Sequence, residues 1–102
     1  MNLGRILLNV TGGYMAMGKF IDNCKKAILM ASEHNIDRDD LYRSLNIVWF
    51  CKTLQNHKAL VMSTNDALYH TYWEVTYNGA KNQYYVDEYC KKSNTAITLA
   101  EV

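Results

Sequence analysis

Tyr69-His70-Thr71-Tyr72-Trp73-Glu74-Val75-Thr76-Tyr77-Asn78-Gly79-Ala80-Lys81-Asn82-Gln83-Tyr84-Tyr85-Val86-Asp87 reads as two strands around an Asn-Gly pair. β-Branched and aromatic residues alternate with polar ones in the first run, and Asn-Gly is the favoured pair for a two-residue type I′ turn. A two-residue loop sets Trp73 opposite Tyr84, Tyr72 opposite Tyr85, Thr71 opposite Val86 and His70 opposite Asp87. A register four residues away would oppose Glu74 to Asp87, and like charges directly across a ladder repel. The shorter loop is therefore expected. It sorts Thr71, Trp73, Val75, Tyr77, Tyr84 and Val86 onto a face that belongs on helices. His70, Tyr72, Glu74, Thr76, Lys81, Gln83, Tyr85 and Asp87 go to a face open to water or a partner.

Upstream, Tyr14, Met17, Phe20, Ile21, Cys24, Ala27, Ile28 and Ala31 recur every three or four residues and predict an amphipathic helix. Leu29 and Met30 widen its stripe. After a break at 33–36, Asp37, Asp39 and Asp40 supply a cap and first-turn acids for a second helix. Leu41, Leu45, Val48 and Trp49 form its apolar face, with Leu54 on the flank, over about 38–56. The consecutive run Ile47-Val48-Trp49-Phe50-Cys51 is also compatible with a buried strand. Lys58–Met62 reads as a short strand or a helix end, and 63–66 as a turn or the cap of a short helical turn. Asp87–Lys92 reads as one helical turn, and Thr95–Leu99 as a third strand. Residues 5–10 read as a strand that ends at Thr11-Gly12-Gly13.

The expected fold class is α+β: a two-helix hairpin packed on a small antiparallel sheet that contains the 69–87 β-hairpin. The length of 102 residues, without repeats or a linker-like tract, fits one domain over 1–102. High hydrophobic content with a net charge of +1 argues against disorder and against a basic wrapper of nucleic acid. No apolar run approaches a membrane span, and Arg5–Val10 is too short for a secretory signal. Three dispersed cysteines, Cys24, Cys51 and Cys90, point to reduced, mostly buried thiols and a cytoplasmic setting.

The chemistry-bearing motifs are sparse. Gly13-Tyr14-Met15-Ala16-Met17-Gly18-Lys19 matches a phosphate loop until Phe20 stands where the metal-binding hydroxyl is needed. Ile6-Leu7-Leu8-Asn9-Val10-Thr11-Gly12-Gly13 is similar to the first strand and turn of cysteine-decarboxylase-like flavoproteins. That likeness covers under a tenth of a chain shorter than those domains, and nothing downstream continues it, so no residue role is carried over. Cysteines and histidines lack metal-ligand spacing, and no metal or cofactor is expected. Cys51 lies in an apolar run and reads as buried and inert. Cys90, beside Lys91 and Lys92, has the one basic setting, with no orienting partner nearby in sequence. A winged helix is disfavoured because Asp37, Asp39 and Asp40 would repel phosphate.

Seven of the twelve aromatic residues fall between Tyr69 and Tyr89, which makes the hairpin the candidate binding element. Tyrosine-rich, charge-poor surfaces suit protein interfaces. The function expected is a small non-enzymatic interaction protein that binds another protein, or itself, through Tyr72 and Tyr85 with His70, Lys81, Lys91 and Lys92. The alternative is a nucleotide or single-stranded nucleic-acid binder that stacks bases on the same tyrosines. A proline-free chain rich in Asn, Tyr and Lys resembles the small accessory proteins of large bacteriophages. That likeness implies inhibition or redirection of a host protein.

Overall fold

A computed structural model describes residues 17–101, with side chains described to residue 100. The elements run α1 (Met17–Ala31), α2 (Arg38–Ser44), β1 (Leu45–Thr53), β2 (Asn56–Ser63), β3 (Thr71–Asn78) and β4 (Gln83–Cys90). Short 3-10 turns cover Asp66–Leu68 and Leu99–Glu101. The strands form one antiparallel sheet in the order β1-β2-β3-β4, with α1 and α2 packed on one side. This is the expected α+β class with a larger sheet. The strand at 5–10 and the glycine loop as far as residue 16 lie outside the described residues.

The periodicity of α1 becomes burial directly. Phe20, Cys24 and Ile28 are fully enclosed, Leu29 packs against the core, and Met30 is exposed. They meet Ala59 and Val61 of β2 and Trp73, Val75 and Tyr77 of β3, the inward face predicted for that strand. Phe20 is therefore core at the position where a phosphate loop needs a hydroxyl. Burial alone pushes the Cys24 thiol up to about 12, which makes it inert.

The second helix starts as expected and stops early. Asp37 accepts the Asp40 N–H at 3.1 Å, and Asp39 and Asp40 occupy the first turn. To continue, the Ser44 carbonyl would have to accept the Val48 N–H. It accepts the Thr64 N–H at 2.8 Å and the Asn46 side-chain amide at 3.0 Å. Leu45 turns extended, and the β-branched and aromatic run that follows becomes β1. The expected helix over 38–56 is thus a seven-residue helix and an outer strand. That strand is not buried either: Val48, Trp49 and Phe50 are exposed, as is Cys51. Leu54 sits in the two-residue β1–β2 turn, 88% exposed, with φ 54°.

Tyr42 ties the helices together. Its hydroxyl donates to Asp22 at 2.5 Å, Lys26 pairs with the same carboxylate at 2.9 Å, and Lys25 lies 4.9 Å above the Tyr42 ring.

The β3–β4 ladder takes the register that the like-charge argument rejected. Tyr77 faces Tyr84, Val75 faces Val86, Glu74 faces Asp87, Trp73 faces Glu88 and Tyr72 faces Tyr89, around a four-residue loop 79–82. Asn78 Oδ1 accepts the Ala80 and Lys81 N–H groups at 3.1 and 3.3 Å, and the Tyr77 hydroxyl donates to Asn82 at 2.9 Å. Asn82 takes the left-handed conformation, with φ 52°. A third strand removes the electrostatic objection, since Lys58 of β2 reaches Glu74 at 3.1 Å. Because the shift is even, the residues that stay in the two strands fall on the expected faces although every pair is wrong, while Lys81 lies in the loop. His70 does not face Asp87; it lies in the turn before β3, its ring 3.7 Å from that of Tyr69. β4 continues to Cys90, so 87–92 is no helical turn, and 95–99 forms no strand.

Candidate functional site

Both described helices lie on one side of the sheet, and none lies on the other. Strand alternation places Trp49 of β1, Leu60 and Met62 of β2, Tyr72 of β3, and Tyr85 and Tyr89 of β4 on that open side. Met62, Tyr72 and Tyr89 make one continuous row across three strands. The Tyr72 and Tyr89 rings stack, 5.0 Å apart and 14° from parallel. Trp49 and Leu60 are neighbours in the next row, with Trp49 55% exposed. Exposed aromatic and aliphatic surface that runs across strands, rather than scattered singly, is the usual mark of an interaction site.

The charged groups set among these side chains are two carboxylates and one lysine. Glu74 and Asp87 face each other beside the tyrosine row, and Lys58 pairs with Glu74. The field of Glu74, followed by partial burial and then Asp87, raises the pKa of the Tyr89 hydroxyl. The Tyr85 hydroxyl donates to Gln83 at 2.9 Å.

Of the residues singled out from sequence, Tyr72 and Tyr85 share the open face but do not oppose one another. Tyr72 faces Tyr89, and Tyr85 faces Thr76. The basic residues divide between the ends of the hairpin. The Lys91 N–H donates to the His70 carbonyl at 2.7 Å, which places His70, Lys91 and Lys92 at one end. Lys81 sits in the loop at the other, the length of β4 away, about 26 Å at 3.3 Å per residue. They do not make one cationic patch. Trp49, Leu60, Met62 and Tyr89 join the face without having been singled out. Their signals were the unbroken apolar run at 47–51, the ambiguous Lys58–Met62 segment, and an aromatic just past the expected end of β4.

A groove of about 750 Å³ runs between α1 and β4, lined by Asn23, Lys26, Met30, Asn82 and Tyr84 among others. Asn23 donates to the Tyr84 hydroxyl across it at 2.9 Å. Burial raises the Tyr84 pKa, so the hydroxyl stays protonated. Among the described residues, no three His, Cys, Asp or Glu side chains converge as a metal site would need. No described helix is long and apolar enough to cross a membrane.

No curated protein and no solved structure matches the chain. A family model does match, over residues 17–99, from the first described helix through all four strands. The chain therefore belongs to DUF6275, a family of unknown function.

Proposed function

We propose that this protein is a binding module without catalysis of its own, which engages a protein partner through the open face of its sheet. The observation that carries the reading is the apolar set on the open face, Met62, Tyr72 and Tyr89 in one row and Trp49 and Leu60 in the next, with Tyr85 set apart beyond Asp87, and no described helix covers it. Large aromatic side chains supply contact area at low entropic cost and dominate the energetics of protein interfaces. Glu74 and Asp87 beside the stacked tyrosines favour an apolar partner surface that also carries Arg or Lys, which can pair with the carboxylates and lie over the rings. The same carboxylates oppose phosphate and count against stacked nucleic acid. Free thiols at Cys24, Cys51 and Cys90 suit the reducing cytoplasm. A partner held this way is inhibited or redirected by occlusion, the role that the likeness to phage accessory proteins implies.

The test uses the immobilised chain and a variant with Tyr72→Ala, Tyr85→Ala and Tyr89→Ala, challenged with nuclease-treated cell extract at low and high salt. Capture of a defined protein by the native chain alone, little changed by salt, is the expected result. Capture of nucleic acid from untreated extract, lost steeply as salt rises, would replace this reading with the nucleic-acid one.

A further inference from the structure

The two outer strands of the sheet are built differently. β4 carries Asp87 and Glu88 in succession, charges that guard an edge against pairing with another chain. β1 is nine residues long and carries one charge, Lys52, near its end. Its sequence holds no proline, and Val48, Trp49 and Phe50 are 56%, 55% and 42% exposed. Among the described residues nothing pairs with its far side. The bulge between Ile47 and Trp49 interrupts the ladder with β2 only there. From Trp49 opposite Leu60 to Thr53 opposite Asn56 the strand is regular.

We propose that β1 pairs antiparallel with β1 of a second copy around a twofold axis at Cys51, which joins two sheets into one of eight strands. The self-complementarity of the segment singles out a second copy as the occupant. With Cys51 facing its own equivalent, Trp49 faces Thr53 and Phe50 faces Lys52 in both directions. Aromatic–β-branched contacts then recur on the open face, and the two lysines lie diagonally across the axis rather than directly opposite. A twofold pairing of β4 centred on Asp87 or on Glu88 would instead set that carboxylate against its own copy. The β1 pairing keeps the tyrosine face clear and doubles its extent. It also stands independently of the function proposed for that face.

The full chain is examined by sedimentation equilibrium, alongside Phe50→Lys and Phe50→Glu. Both variants remove the same half-exposed ring. The first sets lysine against Lys52, and the second sets a carboxylate there. A native dimer is expected, weakened at least ~10-fold more by Phe50→Lys than by Phe50→Glu, as befits close charges at an interface. Cross-linking needs no fold-perturbing change. In Cys90→Ser, diamide accepts two electrons and two protons from two Cys51 thiols and leaves a Cys51–Cys51 disulfide. Either type of antiparallel rung, at about 4.5 or 5.5 Å between Cα atoms, lies within disulfide range. A chain that stays monomeric at every concentration and gives no such cross-link overturns the proposal. So does a dimer indifferent to Phe50 but lost with Tyr72→Ala and Tyr85→Ala, which would place self-association on the open face.

Discussion

The Trp73 indole N–H donates to Glu88 Oε1 at 2.8 Å across the rung where the two residues face each other on β3 and β4. The other carboxylate oxygen lies 3.0 Å from His34 Nε2, and the His34 ring stands edge-on to the indole. Trp73 is the largest fully buried side chain, so its one polar atom depends on Glu88 for satisfaction. Replacement of Glu88 by Ala is expected to lower stability by about 1–3 kcal/mol, the cost of orphaning a buried donor. Glu88→Gln keeps an acceptor and should recover most of that loss. Urea unfolding followed by tryptophan fluorescence measures both; an alanine variant as stable as the native chain would show that the bond contributes nothing.

The turn at Gly79 packs onto the turn between β1 and β2. A Cβ built at Gly79 would lie 2.4 Å from the Gln55 carbonyl oxygen and 2.7 Å from its Cβ. A backbone atom cannot swing away as a flexible side chain can, so the two turns must separate. Gly79→Ala is expected to cost about 1–3 kcal/mol through this overpacking. Its melting temperature should fall by several degrees, while Ala80→Gly, at the exposed neighbour, should stay close to native.

Lys58 is the cation that makes the Glu74–Asp87 rung tolerable. Its ion pair is partly solvated, so Lys58→Ala should cost no more than about 1 kcal/mol, and less at high salt. Asp87→Asn removes the opposed charge and should make the loss of Lys58 nearly silent. A double-mutant cycle reads this coupling directly; additive effects of the two substitutions would refute it.

His57 is buried between Phe20 and Tyr77, with ring centroids at 4.9 and 5.8 Å, and its Nδ1 has no hydrogen-bond partner. Burial, then Lys52 directly opposite on β1, lowers its pKa below 6.5, and a hydrogen bond with the Gln55 backbone offsets them in part. The unfolded chain therefore binds the proton more readily. Stability from the neutral ring is full above pH 6.5 and is lost as pH falls from there toward the lower native value. His57→Phe should flatten that limb of the stability profile while leaving the carboxylate-dependent loss at lower pH. Asp22 contributes to that second loss: the Tyr42 hydroxyl, then Lys26, holds its pKa below 3.8. Denaturant titrations at half-unit pH steps separate the two regions.

What could be read before folding was what depends on local period. Phe20, Cys24 and Ile28 declared a helix face, and Thr71, Trp73, Val75 and Tyr77 declared a strand face; both are core. The cap at Asp37 was equally legible, because its donor is three residues away. The rest was set by partners remote in sequence. α2 ends where the Thr64 N–H takes the Ser44 carbonyl, twenty residues downstream. The hairpin register turns on Lys58, in a strand outside the hairpin. Half of the open face was hidden for the same reason. Trp49, Leu60 and Met62 declare their side of the sheet only once β1 and β2 are known to be strands, and the expected helix over 38–56 had absorbed the first of them.

Every described strand is hydrogen-bonded, among the described residues, only to strands that adjoin it in the chain, across connections of two, seven and four residues. Among these strands no crossover must close before the sheet can grow, so the sheet can zip one hairpin at a time with small loop entropy at each step. Closure of α1 onto β3 and β4 is the long-range event. If it limits the folding rate, changes at Phe20 or Ile28 should slow folding, and changes in β1 should chiefly speed unfolding.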